Sequence, residues 1–308
     1  MKPVSPWDKR VKLTVAICTW NRASSLSQSL ERLTCLRQPR APWELIVVNN
    51  NSDDSTEDVL QTFKDRLPLR RIFESALGLS HARNAAVKHA TGDYVLWTDD
   101  DVFVDPGWLL AYERAVERWR DAAFFGGPVR PRFEGNAPKW VFTAWEKLIG
   151  PFGLRDLGPE PFEFQDGGEI PWGANFAVRL RDQRRFPYDP ALGRKGNGGL
   201  LGEETAVIQA ILASGSAGWW VPDAAVEHCI PKNRQTLRYL RDYYTRFGRT
   251  YGPRQPYSLP ALAGHPWLLS RKMLQAELKY LIARLSGNTD RWVTSLIEAS
   301  ILWGALNK

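Results

Sequence analysis

Four apolar, β-rich runs punctuate the first hundred residues: "LTVAIC" (13–18), "ELIVVN" (44–49), "LRRIFE" (69–74) and "YVLWT" (94–98). Helix-like segments separate them. Over about 22–36, Leu26, Leu30 and Leu33 recur at three- and four-residue spacing, which marks one buried face. In "NSDDST", Ser52, Asp53 and Asp54 offer capping oxygens to a following helix, and another helix is expected from about Leu79 to Ala90, ending at "TGD". Such alternation of strand and helix predicts an α/β fold with a mainly parallel sheet covered by helices. Ligands of such sheets lie beyond the carboxyl ends of the strands. "CTWNR", "VNNNSDD" and "TDDD" all fall at such ends, so polar residues are expected to converge on one edge.

The third of these ends is the most demanding. Asp99, Asp100 and Asp101 are consecutive carboxylates, and if desolvated together they must be protonated or balanced by a cation. In extended backbone Asp99 and Asp101 point to one side and Asp100 to the other. An Asp-x-Asp pair can then give hard oxygens to Mg²⁺ or Mn²⁺ while substrate phosphates complete the shell. A solvated acidic turn, with an aspartate capping the helix after Pro106, is the alternative.

Of the 308 residues, 44% are hydrophobic, enough for one large domain or two small ones with a real core. The 41 basic and 34 acidic residues leave a net charge of +7, which favours anionic partners. Cys18, Cys35 and Cys229 are odd in number and widely spaced, so they read as reduced, structural thiols of a cytoplasmic protein. The amino terminus has no uninterrupted apolar core of a secretory signal, and no stretch reaches the ~18 apolar residues of a membrane span. A cytoplasmic protein, or one peripheral at the inner face of a membrane, is expected.

The second half differs in character. "GRKGNGGLLGEE" holds five glycines between Gly193 and Gly202 but lacks the Gly-Lys-Ser/Thr ending of a phosphate-binding loop, so a lid is the better reading. Helices dominate from about Gln235. The helix over about 235–249 would set Leu237, Leu240, Tyr244 and Phe247 opposite Arg238, Arg241 and Arg249. Such a helix can lie on an anionic membrane or pack on the catalytic domain. "WVTSLIEASILWGAL" is apolar on most sides, which suits burial, an oligomer contact or interfacial insertion.

"VAICTWNRASSLSQSLERL", "ELIVVNNNSDDST", "ALGLSHARNAAVKHATGDYVLWTDDD", "PWGANFAVRL" and "LGEETAVIQAIL" occur in the order and approximate spacing seen in family 2 glycosyltransferases, which the chain resembles over most of residues 13–230. The resemblance implies an A-type glycosyltransferase fold, a Rossmann-like mainly parallel sheet flanked by helices, with a catalytic domain over 1–230 and a helical carboxyl-terminal extension over 231–308. The donor half would be about 11–130 and the acceptor half about 131–230. It further implies a nucleotide-sugar donor, Mg²⁺ or Mn²⁺, and inversion at the anomeric carbon.

Carried over by motif, Thr19, Asn21 and Arg22 would contact the nucleotide, and Asn49, Asn50 and Asn51 the base and ribose. The family commonly has an aspartate in that second loop. Arg83 and Asn84 would line the donor pocket, the guanidinium gripping pyrophosphate oxygens. Asp99 and Asp101 become ribose and metal carboxylates, with Asp100 replacing either if the register shifts by one. His228 would be a third metal ligand or merely hydrogen-bonded, and Arg234 would hold the leaving phosphates. Gly173 and Asn175 would flank the sugar. Glu204, with Glu203 beside it, would be the base that takes the acceptor proton.

The activity so implied is hexosyl transfer from a nucleotide sugar to a carbohydrate or lipid-linked acceptor in polysaccharide, glycolipid or cell-envelope assembly. Trp140, Trp145 and Trp172 could pack on sugar rings or simply fill core. Among rivals, a nucleotidyltransferase would carry an early glycine-rich loop, which "CTWNRASS" is not. The basic residues are too dispersed for nucleic acid. A non-catalytic sugar-nucleotide binder would show the same residues without turnover.

Overall fold

The chain was analysed as a computed structural model that describes residues 11–196, 198–252 and 266–307. The expected strands form: β1 (Leu13–Thr19), β2 (Trp43–Asn49), β3 (Leu69–Phe73) and β4 (Tyr94–Thr98), followed by β5 (Val102–Val104), β6 (Phe124–Gly126), β7 (Val129–Phe133), β8 (Asn175–Arg179), β9 (Arg194–Lys195), β10 (Gly198–Gly199), β11 (Gly218–Trp220) and β12 (Val226–Ile230). Seven of them make one sheet in the order β11-β6-β8-β4-β1-β2-β3. Strands β1–β2, β1–β4, β2–β3 and β6–β11 pair in parallel, and β8 runs antiparallel to β4 and β6.

Both faces of this sheet are covered, which is why its central strands are apolar throughout rather than alternating. Leu13, Val15 and Ile17 of β1 face a core shared with α1 (Ala23–Thr34), α2 (Thr56–Thr62) and α4 (Trp108–Arg118). On the other side Ala16, Ile46, Val95 and Trp97 meet α3 (Leu79–His89), α7 (Leu180–Arg185) and α8 (Glu203–Ala213). Period two in the strands thus feeds two separate cores.

Contacts divide the chain into two compact units. One holds residues 11–130, 153–196 and 202–228; the other holds 131–152, 198–201 and 229–307. Thus 131–152 groups with the carboxyl-terminal helices, not with 153–228. The second unit contains α5 (Lys139–Thr143), α6 (Trp145–Leu148), α9 (Leu237–Tyr251), α10 (Pro266–Leu285) and α11 (Thr289–Leu306). Thr236 caps α9 and Asn288 caps α11 through their side chains.

In that unit α11 is buried along most of its length, from Trp292 to Gly304. Burial therefore explains its apolar sides. A Cβ on Gly248 would come 2.1 Å from the Ile301 carbonyl oxygen, and one on Gly304 2.0 Å from that of Thr245, so two glycines permit the close approach of α9 and α11. Tyr244 and Phe247 of α9 pack against Leu269, Ile301 and Leu302. Arg241, expected on a solvated basic face, donates two hydrogen bonds to Glu277 of α10. Trp140 meets Trp292 and Trp145 meets Phe133. No helix of the described residues is long and apolar enough to cross a membrane.

Of the three expected capping residues, Asp54 accepts the backbone N–H of Thr56, the first residue of α2, through one oxygen. Its other oxygen reaches across to accept the Ala23 backbone N–H at the start of α1, at 2.9 Å.

Candidate functional site

The loops after β1, β2 and β4 meet, as parallel strands in register require. At the end of β4 the chain turns instead of staying extended: the Val102 amide bonds back to the Asp99 carbonyl. The extended alternation expected here therefore gives way to a turn, which also brings Asp100 beside Asp101. Asp100 and Asp101 share one guanidinium, with Arg22 Nη1 2.5 Å from Asp100 Oδ1 and Nη2 2.9 Å from Asp101 Oδ2. Asp100, buried, also accepts from Thr19 Oγ1 at 2.8 Å. Asp99 faces Arg83, its Oδ1 3.9 Å from Arg83 Nη2, and stays within electrostatic reach of Asp101 and His228.

Strand β12 runs antiparallel to β5 and sets His228 directly opposite Val102. That register brings the imidazole to the aspartate turn, with Nε2 3.4 Å from Asp101 Oδ2. Strand β8 contributes the next wall. Because Asn175 pairs with Thr98, the preceding Trp172-Gly173-Ala174 loop arrives at the same end of the sheet. A Cβ on Gly173 would lie 3.1 Å from both Glu204 Oε1 and Arg83 Nη2, so the missing side chain lets these groups reach the backbone.

The two glutamates open α8 after Gly202, whose φ of 92° suits glycine. Glu203 is buried, 3.5 Å from Arg83 Nη1. Burial, and then the neighbouring Glu204, push its carboxyl up to about 8, against the pull of Arg83. Burial likewise raises Asp100 to about 6, countered by Arg22.

Arg83 is not open to a diphosphate. It is 3% exposed, and its guanidinium lies within 5.3–5.6 Å of the rings of Trp97, Phe176 and Tyr188. It donates to the Gly173 carbonyl and contacts Asp99 and Glu203, while its Nη1 makes no hydrogen bond among the described residues. The geometry makes it a brace between the aspartate turn and the glutamate pair.

Several asparagines are also committed to the fold. Asn175, fully buried, accepts from Trp108 Nε1 and Tyr112 Oη and donates to the carbonyls of Pro128 and Ala224. Asn84 bonds both backbone groups of Tyr188. Asn50 accepts from the Gly78 amide and donates to the carbonyls of Glu74 and Ala76; Asn49 donates to Glu57 and accepts from Ser52. Asn21 and Asn51 adopt the left-handed region at φ 51° and 62°, which asparagine tolerates best after glycine. Asn21 ties the first loop to the second through Ser52 and Asp53. Arg234 lies in the second unit on a 3₁₀ turn, Lys232–Arg234, with its guanidinium over Tyr239.

Sequence reading missed the aromatic enclosure of Arg83. Its one signal is Trp97, two residues before Asp99 and so on the same side of an extended strand. A cavity of about 360 Å³ lined by Leu13, Arg40, Ala41 and Glu113 contains none of these acids; charge, not cavity shape, marks the site.

Five carboxyl groups, Asp99, Asp100, Asp101, Glu203 and Glu204, meet the guanidiniums of Arg22 and Arg83, with Arg194 acting on Asp99 and Glu203. Acids exceed guanidiniums by two (five against three). Oxygen donors with an imidazole beside them fit Mg²⁺ or Mn²⁺, although no three such side chains form a ready cluster among the described residues.

A doubly covered, mainly parallel sheet with an acidic turn at its carboxyl edge is the architecture of an A-type glycosyltransferase. Residues 14–168 match the family described as Glycosyl transferase family 2, and the chain belongs to that family. It is 26% identical over 254 residues to the "Succinoglycan biosynthesis protein ExoM" of Rhizobium meliloti (strain 1021), covering 80% of this chain and 75% of that one. It is 26% identical over 236 residues to a "Glucosyl-dolichyl phosphate glucuronosyltransferase" of Haloferax volcanii, covering 75% and 73%. Among solved structures, a mannosyltransferase from Pyrobaculum calidifontis in complex with GDP-Man and Mn²⁺ superposes with a TM-score of 0.58 at 17% identity, covering 96% of this chain and 88% of that one. S. aureus TarS 1–349 in complex with UDP-GlcNAc gives 0.57 at 12%, covering 92% and 90%.

Proposed function

We propose that the chain is an inverting, divalent-metal-dependent hexosyltransferase that moves a sugar from a nucleoside diphosphate to a hydroxyl of a carbohydrate or lipid-linked acceptor, in polysaccharide or glycolipid assembly. The observation that carries this is the arrangement about Arg83, one buried guanidinium between Asp99 of the donor turn and Glu203 of the acid pair. It leaves Glu204, the next residue, half-buried beside Gly173.

In this reading the Glu204 carboxylate takes the proton of the acceptor hydroxyl as that oxygen bonds to the anomeric carbon. The bond from that carbon to the diphosphate oxygen breaks, its electron pair leaving with the diphosphate. Asp101, Asp99 and His228 would hold Mg²⁺ or Mn²⁺, which supplies positive charge to the departing diphosphate. Asn51, exposed at the apex of the second loop, is the amide of that triplet left for the nucleotide. Relatives and neighbours named for succinoglycan, a dolichyl phosphate sugar, GDP-Man and UDP-GlcNAc support the class of donor and acceptor without choosing among them.

A panel of UDP- and GDP-sugars with Mn²⁺, read by nucleoside diphosphate release, tests the reading. At least one donor should turn over, and Glu204→Gln should lower the rate roughly 10²–10⁴-fold with donor affinity nearly unchanged. Donor binding without any turnover would make the chain a sugar-nucleotide binder instead.

A further inference from the structure

We propose that the outer face of α10 is a docking surface for an anionic lipid bilayer. Trp267, Leu274, Leu278, Leu281, Ile282 and Leu285 are each between 55% and 90% exposed. At about 100° per residue they fall within an arc of roughly 100°, the width of an ordinary core-facing stripe. This stripe faces outward. The opposite side of the same helix, through Leu269, Ala276 and Ala283, is the buried one. The helix therefore carries two apolar faces, and only one is used by the described residues.

Charge chooses the occupant. Lys272 and Lys279, both exposed, stand two helical turns apart along the flank between the two faces, and Arg271 adds a third exposed cation near the start of the helix. Arg284, on the other flank, lies over the ring of Trp292. The single acid of α10, Glu277, is bound by both nitrogens of the Arg241 fork. A second copy docked by this stripe would set lysines against lysines with no unengaged carboxylate on the helix to answer them. A bilayer rich in acidic lipid offers hydrocarbon to the leucines and phosphates to the lysines at the same depth. At 20 residues the helix has the length of a span but is not apolar enough to cross, so it would lie in the interface plane. The sequence suggested α9 for this role; its apolar face is occupied by Leu269, Ile301 and Leu302, and α10 takes its place.

The test is co-sedimentation of the full chain with phosphatidylglycerol/phosphatidylcholine vesicles at low salt, beside vesicles of phosphatidylcholine alone. Pelleting is expected with the anionic vesicles and not with the neutral ones, with release as salt screens the lysines. The double variant Leu278→Gln/Leu281→Gln and the double variant Lys272→Glu/Lys279→Glu should each lower partitioning about tenfold or more. All four positions are exposed, and unchanged thermal melting checks that the fold is intact. Absence of pelleting, equal partitioning of folded variants, or binding indifferent to acidic lipid would overturn the proposal. So would a dimer in sedimentation velocity that the leucine variant dissolves, since a second copy would then cover the face. Membrane binding needs no donor, so its failure is separate from failure of the transfer reading.

Discussion

Glu203 and Glu204 are adjacent in the chain but sit in different surroundings. Helix α8 points Glu203 inward to Arg83, whereas Glu204 reaches the Gly173 backbone and remains half-exposed. The amino terminus of a helix favours both charges, so the helix alone does not distinguish them. Burial does. Because the folded Glu203 titrates near 8 and an unfolded glutamate near 4.5, the folded chain holds the extra proton between those values. Its contribution to stability is therefore fully present below about 4.5 and is lost as pH rises toward 8. We expect the melting temperature of Glu203→Gln to change less between pH 5 and pH 8 than that of the unaltered chain. Identical slopes would show that Glu203 ionises normally in the fold. At this scale the sequence revealed residue types more readily than roles. The acids were visible because consecutive carboxylates are rare at strand ends, but Asn84, Asn175 and Arg83 were assigned to the donor. Their partners, Tyr188, Trp108, Tyr112, Phe176 and Glu203, come from other parts of the chain, and no local pattern announces them.

Elements were easier to read than contacts. Strands β1 to β4 and helices α1 and α3 lie within a few residues of their expected bounds, because apolar runs and leucine spacing report burial directly. Less visible was β8, which enters the sheet between β4 and β6 and runs against both. Nothing in "NFAVR" specifies direction or neighbour. The first three strands are also locked by one carboxylate that the sequence did not single out. Glu44 of β2 accepts from Thr14 of β1, from the Thr91 amide and hydroxyl, and from Arg70 of β3. Burial opposes its charge, yet the bonds from Thr91, Arg70 and Thr14 prevail and hold the carboxyl down to about 2. The stabilisation this implies is present above about 4.5 and is lost as pH falls through about 2. Glu44→Gln should lower the melting temperature by about 1–2 °C at pH 7, the effect of about 1 kcal/mol in a chain of this size. The gap should close as acid protonates the native carboxylate, and a gap constant from pH 7 to pH 3 would sink the assignment.

For the molecule as a whole, long-range and local charge have opposite signs. Forty-one basic and 34 acidic residues give an excess of +7, which would draw the proposed anionic nucleotide sugar toward the chain and should make its association slower at high salt. The site it would approach is acidic, with Arg22 already engaged by Asp100 and Asp101 and Arg83 enclosed by aromatic rings. A diphosphate arriving there faces carboxylates whose own counter-charges are in use, and a divalent cation is the simplest way to join the two sets of oxygens. We therefore expect UDP- or GDP-sugars to raise the melting temperature of the chain only when Mg²⁺ or Mn²⁺ is present, since a ligand that binds the folded state alone stabilises it. Excess chelator should abolish that rise. Asp101→Ala should abolish it even with metal, because Asp101 is the carboxylate next to both Arg22 and His228. A full donor-dependent rise in chelator would mean that the excess acids are neutralised by protons, as the upward shifts of Asp100 and Glu203 allow, and that the metal plays no part in donor binding.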